Sequence, residues 1–522
     1  MKMSNLRSRR QAWRPLTALF ALLIAAFCAL LSGCNVGPMY SPPTMTAPPA
    51  FKETPEQSQE AGAWAVAQPQ DAALRGKWWK IYNEPDLNSL EDELNIDNEN
   101  IRQAFENFME ARALVREARS QYFPTVGVGG SYSRSQSSAN VSSFSSGGTQ
   151  QAGGATSAGK QTQLFSLSAD ASWAPDLWGK VRNTVHASQY GAQLSAADLE
   201  NERLTEQASL AEFFFQIRGQ DALQKLLDET VEADKKALDA QRAAYDSGVG
   251  DQISVVEAQT TLASAQSAAI NLGIARAQYE HAIAMLVGKP ASAFSIPVEP
   301  KTSAPPPIPL GMPSQLLERR PDIAAAERNM AAANAQIGVA RAAFYPALTL
   351  SATGGLESDA IKHLFDWPSR FWSVGPSISE TVYDGGLRRA TVNQYIATYN
   401  ANLAAYRQSV LTAFQQVEDS LAAVRILSQQ ILRQQEAVES SETFLRLELT
   451  RYQNGIDPYI DVITAQTTLL QNQQSLTNLQ VQEMTASVQL IEALGGGWNR
   501  SQLPTPAQVT QAPDKTDTTI QH

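Results

Sequence analysis

Two kinds of period alternate along this chain. Residues 88–121 and 314–343 are rich in Ala, Glu, Arg and Asn, with no Pro or Gly beyond Pro321 and Gly338, a composition that predicts helices. Strict alternation follows each. Val126, Val128, Gly130 and Tyr132 are succeeded by Phe165, Leu167, Ala169, Ala171 and Trp173; later come Leu348, Leu350 and Ala352, then Trp372, Val374, Pro376 and Ile378. Ser166, Ser168, Asp170, Ser172, Thr349, Ser351, Ser377 and Ser379 fill the other side, which predicts four strands with one apolar and one polar face. Two long helical patterns lie beyond the strands, at 183–246 and 391–453, followed by shorter ones at 251–287 and 457–493. The long ones would reach on the order of 95 Å at 1.5 Å per residue. Glu202, Arg203, Glu206, Asp228, Glu418, Arg425 and Glu439 recur among their Leu and Ala, so these rods belong outside a membrane. They suit a coiled-coil wall of helices packed side by side, with a solvated extended bundle as the plainer alternative.

The order of elements repeats, with a period of about 207 residues. Tyr245-Asp-Ser-Gly248 through Thr260-Thr261-Leu262 aligns without a gap on Tyr452-Gln-Asn-Gly455 through Thr467-Thr468-Leu469. Upstream, Tyr122-Phe123-Pro124 matches Phe344-Tyr345-Pro346. The first copy carries an insertion, the Ser/Gly tract from Ser135 to Gly159, which reads as a flexible loop.

The N-terminus adds an address. Lys2, Arg7, Arg9, Arg10 and Arg14 precede an apolar run from Leu16 to Leu31, the pattern of a bacterial export signal. Leu31-Ser32-Gly33-Cys34 resembles a lipobox, whose cysteine takes a diacylglyceryl group and an N-acyl chain; a buried apolar cysteine is the alternative. By the rule for lipoproteins, Asn35 after the cysteine favours the outer membrane. The chain thus divides into a signal peptide (1–33), a Pro-containing lipid-anchored tether (34–75), a first repeat (76–290), a Pro-rich linker (291–313), a second repeat (314–497) and a disordered C-terminal tail (498–522).

Charge and chemistry narrow the function. A formal charge of −11 without a basic stripe argues against nucleic acid. Cys28, Cys34, His186, His281, His363 and His522 have no metal-ligand spacing, so neither a metal nor a cofactor beyond the covalent lipid is expected. Gly127-Val128-Gly129-Gly130 lies in an alternating strand and lacks the following helix that would cradle a phosphate, and no linked catalytic triad is visible. The chain does not read as an enzyme.

Strands of about ten residues with one apolar face fit a membrane barrel. Tyr122, Phe123, Trp173, Trp178, Phe344 and Tyr345 bracket one end of them and Trp367, Phe371 and Trp372 another, as interfacial girdles do. A soluble two-sheet domain is the alternative. Four strands cannot close a barrel, and open edges in lipid cost several kcal/mol per unpaired backbone group. Two copies would give eight strands and a filled interior, whereas three give twelve and a water-filled lumen. A duct therefore implies a homotrimer, mainly α with membrane β, whose twelve-stranded barrel has the long helices outside the membrane.

These residues resemble the TolC-like outer-membrane factors, and specifically their lipoprotein branch of OprM and NodT type. The marks are Cys34 with Gly37-Pro38-Met39-Tyr40, Trp78-Trp79 followed by Pro85-Asp86-Leu87, Arg319-Arg320-Pro321-Asp322-Ile323 with Ala326-Glu327, and the paired Tyr-x-x-Gly turns. The resemblance implies an outer-membrane exit channel whose twelve-stranded barrel is continued by a long α-helical periplasmic barrel and which serves efflux. Its implied partners are a periplasmic membrane-fusion adaptor and an inner-membrane transporter of the RND class. Tyr245, Gly248, Tyr452 and Gly455 would mark the helix tips on which the adaptor docks, the glycines allowing the tight reversal. Asp461 matches a family carboxylate that lines the closed aperture, where three copies would form a cation-favouring ring; a helix N-terminal carboxylate is the plainer reading. The second aperture carboxylate of the family falls on Thr464. A channel for protein secretion and a structural lipoprotein remain rival functions.

Overall fold

A computed structural model of the protein describes residues 35–45, 48, 51–53, 76–136, 138, 161–308 and 316–511. The signal segment, Cys34, most of the tether, most of the Ser/Gly insertion, residues 309–315 of the linker and residues 512–522 lie outside the described residues. Helices α1 (Pro85–Asp97) and α2 (Glu99–Ser120) lead into strands β1 (Thr125–Gln136) and β2 (Gln161–Trp173). Helices α3 (Lys180–Asp246) and α4 (Gln252–Leu286) follow. After a single helical turn at Leu316–Arg319 come α5 (Pro321–Ala342), β3 (Ala347–Ser358), β4 (Arg370–Ser379), α6 (Leu387–Gln453), α7 (Tyr459–Ala493) and the short α8 (Pro506–Thr510). The later long pair reproduces the earlier in length, 67 residues for α3 and α6 and 35 for α4 and α7. Among the described residues no helix is long and apolar enough to cross a membrane.

The chain forms two compact units. The first comprises Met1–Ser41, Ala113–Gln189 and Ala331–Asn400. It holds one antiparallel sheet in the order β1-β2-β3-β4. The residues that follow Cys34 are fastened beside it. Asn183 donates from Nδ2 to Asn35 Oδ1 at 2.8 Å, Val36 N–H donates to the Trp178 carbonyl at 3.4 Å, and Asn334 Nδ2 donates to the Pro38 carbonyl at 3.0 Å. A Cβ on Gly338 would lie 2.6 Å from Asn183 Cγ, so this glycine marks a close approach and not a helix break.

The second unit, Pro42–Arg112, Tyr190–Met330 and Ala401–His522, is helical. Trp78, Leu87, Leu94, Phe214, Ile217, Ile283 and Leu490 are buried in its largest apolar cluster. The helix predicted without a break over 88–121 is split at Asn98. Its backbone is extended, its side chain accepts from Ile101 N–H at 2.9 Å, and Nδ2 donates to the Leu286 carbonyl at 2.9 Å. Capping α2 and a helix end elsewhere outweighs helical continuity at this residue. Pro321 sits at the first position of α5, where its missing N–H costs nothing. Arg320 just before it grips Asp322 through Nε at 3.0 Å and donates to the Ala493 carbonyl at the end of α7 at 2.9 Å. The Arg-Arg-Pro-Asp-Ile stretch is thus a corner brace.

The connecting segments bear on one expectation, that of a disordered tail. The Pro-rich linker is held down over its described part: Pro297 and Glu299 bind the buried Arg218, and Glu299 N–H donates to Asp221 at 2.9 Å. The tail expected to be disordered over 498–522 is ordered to Gln511. Thr505 and Gln508 form a capping box at α8, Val509 is fully buried, and Gln193 donates to the Pro504 carbonyl at 2.8 Å. Polar composition hid a segment that needs only one apolar anchor.

Candidate functional site: a two-faced sheet and a paired helix tip

The register of the sheet turns four separate alternations into one surface. Val126 faces Ala171, Val128 faces Ala169 and Tyr132 faces Phe165. Ala171 in turn faces Ala352 and Trp173 faces Leu350; Ala352 then faces Val374 and Leu348 faces Ile378. Every predicted apolar position therefore falls on one side. Exposure is 78% at Val128, 80% at Trp372 and 72% at Ile378, so this side lacks a protein partner among the described residues. The opposite side is small and polar: Ser131 opposite Ser166, Ser172 opposite Ser351, Thr349 opposite Ser377. Among the described residues, strands β1 and β4 each leave one edge unpaired.

Aromatic residues collect at the strand ends as predicted. Trp173 donates from Nε1 to the Tyr122 carbonyl at 3.0 Å, and Trp178 to the Pro346 carbonyl at 2.7 Å, with its ring stacked on Tyr345 at 4.8 Å. At the other end the Arg370 guanidinium lies 3.8 Å over Trp367. Rings with an apolar body and one satisfied polar atom suit a boundary between hydrocarbon and water.

The second site lies where α3 turns into α4 and α6 into α7. Gly248 and Gly455 both have positive φ, 76° and 68°, and let Tyr-x-x-Gly reverse the chain. Asp251 caps α4 by accepting from Ser254 N–H at 2.7 Å, and this hydrogen bond holds its carboxyl below the usual range. The two tips pack through Leu238, Ala258, Tyr459 and Val462. Here the matched tyrosines part ways. Tyr245 is 48% exposed, whereas Tyr452 exchanges hydrogen bonds with Gln241 at 2.8 and 3.0 Å and meets the Tyr459 ring at 5.4 Å.

Asp461 stands in the first turn of α7, partly exposed. Sequence reasoning missed its neighbours. Carboxylate oxygens of Glu448, Asp457 and Asp461 come within 4.8 Å of one another, and Arg451 forms an ion pair with Asp457. Arg451 keeps Asp457 below the ordinary carboxylate range, while partial desolvation and then the Asp457 charge raise Glu448. Gln466 donates to the buried Asp234, whose pKa burial raises. The only sequence signal was Arg-Tyr-x-x-Gly-x-Asp, which brings Arg451 and Asp457 together once the chain reverses. Thr464 spends its hydroxyl on the Ile460 carbonyl at 2.9 Å.

A strand set with one hydrocarbon-compatible face, one polar face and aromatic ends, together with water-compatible helical hairpins, defines an outer-membrane channel protein. The family model described as "Outer membrane efflux protein" matches residues 90–289 and 312–496, and the chain belongs to that family. It is 30% identical over 485 residues to the probable efflux pump outer membrane protein TtgC of Pseudomonas putida, covering 92% of this chain and 96% of the relative. It is similar, also at 30% over 494 residues, to outer membrane protein OprJ of Pseudomonas aeruginosa, covering 93% and 97%. Among solved structures, the outer-membrane channel OprN matches with a TM-score of 0.77 at 27% identity, over 89% of this chain and 100% of that one. The protein is therefore an outer-membrane efflux channel, and its family is one of channels and not of enzymes.

Proposed function

We propose that three copies of this chain close a twelve-stranded barrel and act as the exit duct of a tripartite pump, conducting drugs or other small toxic compounds passively. The observation that carries this reading is the single apolar face of a four-stranded sheet with two unpaired edges. In lipid those edges must be satisfied by neighbouring copies, and twelve strands leave a lumen where eight would be filled. The matched helix lengths support an internal duplication, so a trimer places six helical hairpins around one axis. The tips at Tyr245, Gly248, Tyr452 and Gly455 offer the docking surface for a periplasmic adaptor, which links the channel to an inner-membrane RND-type transporter. Asp461, with its acidic neighbours, lines the aperture. A diacylglycerol and an N-acyl chain on Cys34 anchor the mature chain, and no further cofactor is required.

Light scattering of the detergent-purified protein tests the assembly; a monomer or dimer mass would remove the barrel. Deletion in cells, with susceptibility measured across antibiotics, dyes and detergents, tests the cargo. A change in protein secretion alone would favour the rival channel type. Labelled palmitate should be lost from a Cys34→Ala variant, and retention would place the lipid elsewhere.

A further inference from the structure

On the proposed reading, the polar face of the sheet is the wall of the bore, and its charges follow from the register. That face is built mostly from Ser, Thr and Gly, with Leu164, Ala347 and Phe371 among them and two ionisable side chains among the described residues, Asp170 and Glu357. Asp170 faces Gly127 on one side and Thr353 on the other, and Glu357 faces Ser166. Both are exposed, and neither has an ion-pair partner among the described residues. Arg134 and Arg370 fall on the other face, opposite Gln163 and Leu356. Because the neighbours in the barrel are copies of this chain, the seams between β4 and β1 bring no strand Lys or Arg to the bore either.

The surroundings of Asp170 favour a charge that acts on the lumen. A Cβ on Gly127 would sit 3.1 Å from both Asp170 oxygens, so the carboxylate leans over the space that this glycine leaves empty. Glu357 lies four residues beyond Thr353, about 13 Å further along the strand at 3.3–3.4 Å per residue. Asp170 is three residues from the Trp173 end of β2 and Glu357 one residue from the opposite end of β3.

We infer that Asp170 and Glu357 form two rings of three carboxylates that make the barrel itself a cation-favouring filter, separate from the aperture at Asp461. This rests on the trimeric-barrel reading. Rings of like charge in a pore enrich counter-ions and repel co-ions, and the effect weakens with salt as the screening length falls from about 10 Å at 0.1 M to about 3 Å at 1 M.

The test is the reversal potential of the purified full-length protein in planar bilayers under a KCl gradient, in the natural protein and an Asp461→Ala background. Asp170→Asn with Glu357→Gln should lower the K+/Cl− permeability ratio by about twofold or more in both, most at low salt, with trimer mass retained. Conducting trimers whose ratio is unchanged overturn the filter and leave the channel standing. Absence of conducting trimers in the natural protein and in the Asp461→Ala background overturns channel and filter together. A second measurement does not need an open aperture. A Ser168→Cys variant, on the same face two residues from Asp170, should react faster with a cationic than with an anionic thiosulfonate added from outside. Asp170→Asn should bring the two rates together; an unchanged ratio overturns the filter, and no reaction with either reagent overturns the water-filled bore.

Discussion

Four glycines with positive φ provide a test of what holds the helical unit together. Gly288 (68°) and Gly495 (91°) end α4 and α7, and Gly248 (76°) and Gly455 (68°) form the tips. A Cβ on Gly495 would fall 2.1 Å from the Arg319 carbonyl oxygen, and one on Gly288 2.4 Å from that of Asp97; at the tips nothing lies within 4 Å. Alanine in the left-handed region costs about 1–2 kcal/mol at every one of these positions. At the two corners the backbone must also give way by about an ångström, which adds roughly 1–3 kcal/mol as overpacking does. Gly495→Ala and Gly288→Ala should therefore cost about 2–5 kcal/mol, and Gly248→Ala and Gly455→Ala about 1–2. Asparagine tolerates the left-handed region, so it should nearly rescue the tips and fail at the corners. The ranking is read from the midpoint of thermal loss of helical circular dichroism in detergent. If Asn rescued Gly495 as fully as Gly455, conformation alone would require the glycine, and the close approach to Arg319 would carry no weight.

Three other perturbations probe separate parts of the structure. Glu91 is fully buried with neither carboxylate oxygen hydrogen-bonded, and burial, then the Asp92 charge, pushes its pKa well up. A group raised in the folded state stabilises fully below its unfolded pKa and progressively less as pH rises, so the natural protein should lose stability on that upward path. Glu91→Met should flatten this dependence and gain about 1–3 kcal/mol at neutral pH; an unchanged pH profile would refute the buried-acid reading. Val374→Arg, on the apolar face, should cost about 2–4 kcal/mol per chain near the midplane and abolish barrel assembly, whereas Ser373→Arg, one residue away on the polar face, should assemble. Equal yields of trimer would show that the faces are misassigned. Asp461→Ala should raise leak or alter ion selectivity in planar bilayers, and unchanged conductance and selectivity would remove it from the aperture.

What was legible in the sequence is what a period can encode. The alternation in four separated segments placed the alternating apolar positions on one face, with Leu164 and Phe371 as large exceptions on the other, because a side-chain period of two leaves little freedom once one face is apolar. The long helices were legible to within a few residues for a related reason: runs without Pro and with few Gly (Gly191 and Gly219 in the first, none in the second), closed by Gly248 and Gly455, leave the chain one regular conformation. What failed depended on single contacts between distant residues. Asn98 breaks a good helical sequence since its amide completes a helix end 188 residues away, and the polar tail is ordered by one buried valine. The tips show the same limit from within a repeat. Tyr245 and Tyr452 occupy matched positions, yet Tyr452 is committed to Gln241 and Tyr459 while Tyr245 stays open. Equivalent sequence therefore fixes the turn but not the surroundings that decide its use. On the proposed reading, the two tips would offer an adaptor different side chains, and a docking site built on both need not treat the two repeats alike.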